Sequence, residues 1–196
     1  METLVVNQSP LTAEAYLEAE HNGTREDYGK YEYHNGELVL MGGASKEHNR
    51  VSVNLILLIG SQLAKKPYEL FHSDMRTFAP DANSYFYPDL VVCQGEAQFK
   101  DDAFDNLINP ALVIEILSPS TKAKDRDFKF EAYRSIATLN EYLLIAPDGL
   151  MIEHYQRQQP NEWKLTIYQQ TDETLRLLDG AVALRLTDIY QNVVRD

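Results

Sequence analysis

Along this chain the hydrophobic positions recur now at a period of about two, now at about 3.6, with turn-forming residues between the changes. Thr12 is a residue type that suits a helix N-cap, and a first helix is predicted over Ala13–Glu20. Tyr31-Glu32-Tyr33-His34 and Glu37-Leu38-Val39-Leu40-Met41 flank the dipeptide Asn35-Gly36. Both turn residues tolerate the positive φ of a type I′ turn, so a tight hairpin is predicted. Pairing across that turn sets His34 against Glu37, Tyr33 against Leu38 and Glu32 against Val39. Tyr31, Tyr33, Leu38 and Leu40 then share one face, and Glu32, His34, Glu37 and Val39 the other. Ser45 can cap a long helix running to about Lys66, with Val51, Leu55, Leu58, Ile59 and Leu63 as its apolar stripe.

Extended segments follow at Tyr68–Phe71, Met75–Phe78 and Tyr87–Cys93. A polar loop leads to Ala111–Leu117, a continuous apolar run holding one charge, which Pro119 ends. Lys124–Ile136 reads as a helix, with Phe128, Ala132 and Ile136 spaced by four. Glu141–Ile145, Met151–Tyr155, Trp163–Tyr168 and Thr174–Leu178 read as strands, and a short helix near Ile189 closes the series. Helices separate groups of strands, so the expected class is α/β or α+β around one mixed sheet. At 196 residues, with no internal repeat and no linker rich in Gly, Pro or Ser, residues 1–196 are expected to form a single domain.

Charge changes the picture more than composition does. The chain carries 18 basic and 30 acidic residues, a formal net charge of −12. Such a chain repels polyanions overall, so nucleic-acid binding would need a local basic groove, a divalent cation, or both. Apolar runs such as Leu55-Ile56-Leu57-Leu58-Ile59 fall far short of the roughly 20 residues that span a bilayer, and no membrane partner is expected. The start, Met1-Glu2-Thr3-Leu4, lacks a basic region and an apolar run, and the single cysteine excludes an intrachain disulfide. A cytoplasmic protein is the expectation.

The familiar phosphate loops, dinucleotide loops and serine elbows are absent. Of the five histidines, none is paired at metal-ligand spacing. Cys93 lies in an apolar run, where a thiol acts as a small hydrophobe. The carboxylates say more. Glu115 stands alone inside Ala111–Leu117, a run that reads as a strand covered on both faces. A carboxylate there must be paired, sit at an open strand end, or ligate a metal. Asp89 repeats the pattern at the head of Leu90-Val91-Val92-Cys93. If their strands are neighbours, these two carboxylates match the hard-oxygen ligands that magnesium takes together with waters and a phosphate. Lys129, sharing a helix face with Asp125 and Tyr133, is either one half of a surface pair or a cation turned toward the strand end. Lys122–Arg134 forms a modest positive island, with Lys122 and Lys124 as candidate phosphate contacts. Glu32 is a further metal or water contact if its hairpin face looks inward. His48, in the first turn of the long helix, is either exposed or a substrate contact.

In order, Tyr31-Glu32, Asn35-Gly36-Glu37-Leu38, His48, Pro88-Asp89-Leu90-Val91-Val92, Val113-Ile114-Glu115-Ile116-Leu117-Ser118-Pro119-Ser120, then Asp125, Lys129, Tyr133 and Glu141-Tyr142-Leu143-Leu144 resemble the Uma-two endonucleases. These are a branch of the PD-(D/E)XK nuclease superfamily, and the likeness spans roughly residues 10 to 190. The resemblance implies a restriction-endonuclease-like fold: a mixed central sheet of four or five strands with helices on both faces and an antiparallel C-terminal extension. It implies magnesium- or manganese-dependent hydrolysis of DNA, with Asp89 and Glu115 as metal ligands and Lys129 and Glu32 completing the catalytic set; His48, Lys122 and Lys124 are read as substrate contacts. The parent pattern's lysine is missing at Leu117, and Lys129 on the next helix matches the place it takes in this branch. A two-fold homodimer is the expected assembly, because duplex cleavage needs two scissile sites. Two other classes stay open on the residues alone: a catalytically inactive nucleic-acid-binding module on this fold, and an acidic structural or interaction protein.

Overall fold

A computed structural model describes residues 11–23, 29–118 and 125–193. Lys122, Lys124, Pro119 and Ser120 lie outside the described residues. Helix α1 (Ala13–Asn22) starts where Thr12 accepts a hydrogen bond from the Ala15 N–H, and it ends at Gly23, whose φ of 58° a side chain would strain. Strands β1 (Tyr31–His34) and β2 (Glu37–Leu40) pair in the register that Asn35-Gly36 dictates. Helix α2 (Lys46–Leu63) is capped by Ser45, whose hydroxyl accepts from the His48 N–H. Val51, Leu55, Ile59 and Leu63 are buried along it, and Leu58 is half-buried at the rim of the stripe.

Strands β3 (Tyr68–His72), β4 (Arg76–Ala79), β5 (Ser84–Phe86), β6 (Leu90–Gln94), β7 (Asn106–Leu107) and β8 (Pro110–Ile116) follow. The expected strand Tyr87–Cys93 begins only at Leu90, as β6: β5 and β6 belong to different sheets, and Tyr87-Pro88-Asp89 is the crossing between them. Pro88 has no N–H to give to a ladder, so pairing stops there. The expected helix Lys124–Ile136 is, among the described residues, a π-helical turn, Asp125–Lys129, running into a short helix α3 (Phe130–Tyr133). Widening of the turn breaks the spacing of four, so Ala132 and Ile136 are buried while Phe128 is 41% exposed. Strands β9 (Glu141–Ala146), β10 (Met151–Gln159), β11 (Glu162–Tyr168), β12 (Thr174–Leu177) and β13 (Val182–Arg185) and helix α4 (Leu186–Ile189) complete the chain.

The α/β class holds, but one mixed sheet does not describe it. A six-stranded sheet runs β11-β10-β9-β8-β6-β3, with β8 and β9 parallel and the other neighbours antiparallel. A second sheet runs β2-β1-β5-β4-β7, and β12-β13 form a separate ribbon. The six-stranded sheet is buried on both faces. Leu90, Val92, Leu112, Ile114, Leu143 and Ile145 pack against α2, α4 and the ribbon. Val91, Val113, Tyr142 and Leu144 pack against α3 and residues of the second sheet. Glu141 ties down the turn of the ribbon by accepting the Leu178 N–H at 2.6 Å, and its other oxygen lies 2.6 Å from Nε2 of His154 on β10. Both faces of β1 are also used: Tyr33 stacks on Tyr16 at 5.3 Å, while Glu32 turns the other way and is buried.

Cys93 is wholly buried on β6, and burial pushes its thiol up to about 12. At pH 8 almost none of it is thiolate, whereas the unfolded chain's thiol titrates near the ordinary value of about 8.5. A colorimetric thiol reagent at pH 8 should therefore label Cys93 only across the denaturant unfolding transition; rapid labelling of the native protein would contradict this core placement.

Candidate active site

The crossing Tyr87-Pro88-Asp89 anchors two carboxylates with backbone that strand pairing leaves over. The Tyr87 N–H donates to Glu32 Oε1 at 3.2 Å. Asp89 Oδ2 accepts the Ile116 N–H at 2.7 Å, so Asp89 is fixed against the peptide that follows Glu115. Leu90 pairs with Ile114, and the antiparallel register extended by one residue sets Asp89 across from Glu115. Asp89 Oδ1 lies 2.9 Å from Nε2 of His48, whose place in the first turn of α2 follows from the Ser45 cap.

Glu32 and Glu115 come from different sheets and meet at one ammonium. Lys129 Nζ lies 2.9 Å from Glu32 Oε1 and 3.1 Å from Glu115 Oε1. All three side chains are less than a tenth exposed. The Tyr133 hydroxyl donates to the same Glu115 oxygen at 3.3 Å. Lys129 and Tyr133, spaced by four, therefore reach one carboxylate, as their shared helix face predicts. The ring of Phe86 stands 5.9 Å from the Lys129 ammonium, excluding water from that side. Burial pushes the Glu32 carboxyl up, but the Lys129 ammonium and the hydrogen bonds from His34 and Tyr87 outweigh it, and the group sits below the ordinary carboxylate range. The Tyr133 hydroxyl is held far above its ordinary value by burial and by the charges of Glu115 and Glu32. It is a proton donor at any ordinary pH.

Of the residues singled out in the sequence, the structure gathers Glu32, Asp89, Glu115, Lys129 and His48 around the ends of β6 and β8. Two residues that support this cluster, one by touching it and one through the turn that carries Lys129, were not singled out. His34 Nε2 is 3.2 Å from Glu32 Oε2, and its ring lies between those of Phe86 at 5.1 Å and Phe128 at 4.8 Å. Glu153, on β10, is buried and takes the Arg126 guanidinium in a forked pair, with Nε 2.9 Å from Oε1. The Tyr155 hydroxyl adds a bond of 3.0 Å to its other oxygen. Arg126 lies on the π-turn that carries Lys129, so this fork holds the turn in place. One signal was present: His34 shares a hairpin face with Glu32.

The donors suit a hard divalent cation held by one or two carboxylates, with water and substrate oxygens as its other ligands. They do not form a protein cage: among the described residues no group of three or more His, Cys, Asp or Glu has metal-holding geometry. Among those residues, too, no helix is long and apolar enough to cross a membrane.

Comparison with known proteins identifies a family. The family model for Uma2, described as "Putative restriction endonuclease", matches residues 13–187. An uncharacterized protein of Synechocystis, sll1609, is 39% identical over 163 residues, 83% of this chain and 90% of its own length. A second from the same organism, slr1290, is 33% identical over 183 residues, 93% of each chain. A crystal structure from Anabaena variabilis, described as a "putative nuclease belonging to DUF820", superposes with a TM-score of 0.72. It shares 19% identity and covers 94% of this chain and 100% of its own, a likeness of fold alone.

Removing the shared ammonium isolates its role. Lys129→Met leaves two buried carboxylates without it, a change that typically costs about 3–5 kcal/mol. Without Lys129, desolvation is left to raise the Glu32 carboxyl, and a group raised in the folded state loses stability as pH climbs above its unfolded value of about 4.3. The deficit measured by denaturant unfolding should therefore be larger at pH 8 than at pH 5. In the unmodified protein the sign is opposite for Glu32: its depressed carboxyl contributes stability above about pH 4.3 that is lost on acidification.

Proposed function

The chain belongs to the Uma2 family, and from that premise we propose that it is a metal-dependent endonuclease hydrolysing DNA phosphodiester bonds in the cytoplasm. The observation that carries this reading is the meeting of Glu32, Glu115 and Lys129 beside an Asp89 whose carboxylate is pinned to the backbone next to Glu115. Asp89 and Glu115 would hold magnesium or manganese. Such an ion, when bound, polarises a phosphate and lowers the pKa of its water.

The protein's own groups divide the remaining work. Lys129, fixed between two carboxylates and shielded by Phe86, presents a compact positive charge where negative charge grows on the phosphoryl oxygens. Glu32 fixes the ammonium from the second sheet. His48 orients Asp89 and stands at the start of α2, where it can meet a phosphate. Tyr133 stays protonated and steadies Glu115 by donating to it. Lys122 and Lys124, on the segment before the π-turn, are assigned to the DNA backbone, where positive charge offsets the repulsion of an acidic chain. Cutting both strands would use a homodimer with one such site per protomer, a state that light scattering of the intact protein measures.

The 3.1 Å contact between Lys129 and Glu115 also fits the second reading, an inactive nucleic-acid-binding module in which the pair is structural. Cleavage separates the two. With saturating manganese, the unmodified protein should nick plasmid DNA, and chelator should stop it. Glu115→Gln and Lys129→Ala should each lower the rate by about 10²–10³, the size typical of losing one electrostatic stabiliser. Asp89→Asn should weaken manganese binding measured by electron paramagnetic resonance. Undiminished cleavage by Glu115→Gln, or equal cleavage in chelator, would overturn the assignment.

A further inference from the structure

Beside the carboxylate–lysine cluster lies a cavity of about 430 Å³, within the range of about 300–1,000 Å³ that small-molecule sites occupy. Three elements wall it: the β4–β5 turn with Asp81, the π-turn and following helix with Phe128, Glu131 and Arg134, and the β10–β11 hairpin tip with Asn161 and Trp163. Phe128 directly precedes Lys129. Its ring packs on His34, which is bonded to Glu32, yet 41% of the residue remains open to solvent. The cavity and the candidate active site thus share one wall, a single turn of backbone.

The opposite wall is rigid. Arg157 lies 4.4 Å from the centroid of the Trp163 ring and donates to the carbonyls of Leu139, Arg134, Ile136 and Pro160. Phe130 meets the same indole edge-on at 5.3 Å. Trp163 is half-buried, so part of a fixed aromatic surface remains for a ligand. The polar groups narrow the chemistry. Arg134 is paired with Glu131 at 2.6 Å, and Asp81 and Glu131 are both acidic. A lining of that sign repels phosphate. It accepts hydrogen bonds from amino groups, and the exposed aromatic rings offer stacking to a flat, uncharged group.

We propose that this cavity receives an unpaired nucleobase of the strand that crosses the candidate active site, with the phosphates remaining outside. The proposal rests on the nuclease reading above and deepens it: the favoured substrate is nucleic acid with an unpaired or single-stranded nucleotide. In a perfect duplex the base must first be extruded, which costs a few kcal/mol. A base held one residue from Lys129 fixes the strand and sets which phosphodiester lies at the metal-binding carboxylates.

Trp163 is the only tryptophan of the chain, so its fluorescence reports on the cavity directly and without turnover. In chelator, a ten-nucleotide oligodeoxycytidylate should quench it saturably, and a fully paired duplex of the same length should need at least about tenfold more. Stacking on an aromatic ring is worth about 1–3 kcal/mol per base, so Phe128→Leu should weaken oligonucleotide binding by about tenfold, and Phe128→Tyr should restore it. Circular dichroism checks that both variants are folded. No quenching, equal quenching by the duplex, or unchanged affinity in Phe128→Leu would overturn the proposal. Because these titrations need no metal, cleavage without quenching removes the pocket and leaves the nuclease reading, and quenching without cleavage does the reverse.

Discussion

One buried ammonium joins two sheets that hydrogen bonding leaves separate. Glu32 belongs to the five-stranded sheet and Glu115 to the six-stranded one, and Lys129 reaches both within 3.1 Å. Desolvating two carboxylates is expensive, and partners of opposite charge must be held in good geometry to offset it. That requirement reaches outward. It calls for the π-turn that delivers Lys129, the Arg126–Glu153 fork that pins this turn to β10, and the hairpin that turns Glu32 inward.

The irregular pieces of backbone are where the site is made. Pro88 prevents β5 from running on into β6, and the neighbouring residues use their groups on the site instead. Tyr87 gives its N–H to Glu32, and Asp89 takes the Ile116 N–H that lies beyond the ladder between β6 and β8. The π-turn does the same on the helical side. Wide turns of this kind are frequent at functional positions. Here it puts Lys129 inside and Phe128, its neighbour, partly in solvent. A regular strand and a regular helix would have paired these groups with their own element.

Charge distribution then has a clear division. The chain as a whole is acidic, yet among the described residues Lys129 and Arg126 are each held by named carboxylates at the site. An acidic protein acting on a polyanion must concentrate attraction at one place and keep the rest repulsive, which limits non-productive binding. The proposed base-binding role of the cavity beside Phe128, with its acidic and aromatic walls, fits that division.

By itself the sequence determined the features whose causes are local. Asn35-Gly36 set the hairpin register, Thr12 and Ser45 set two helix starts, and the spacing of Val51, Leu55, Ile59 and Leu63 set the buried face of α2. The lone carboxylates Asp89 and Glu115 were legible too, because an isolated charge in an apolar strand demands a reason, and the ordered set of residues pointed to the family. Tertiary structure decided the rest. Whether Glu32 faces solvent or the site depends on which sheet edge the hairpin joins, and the chain meets that edge through Tyr85, some fifty residues downstream. Division into two sheets, the choice of Lys129 as the shared cation, and the roles of His34 and Glu153 depend on packing between elements distant in sequence. Periodicity records which face of an element is apolar. It does not record which other element that face will meet.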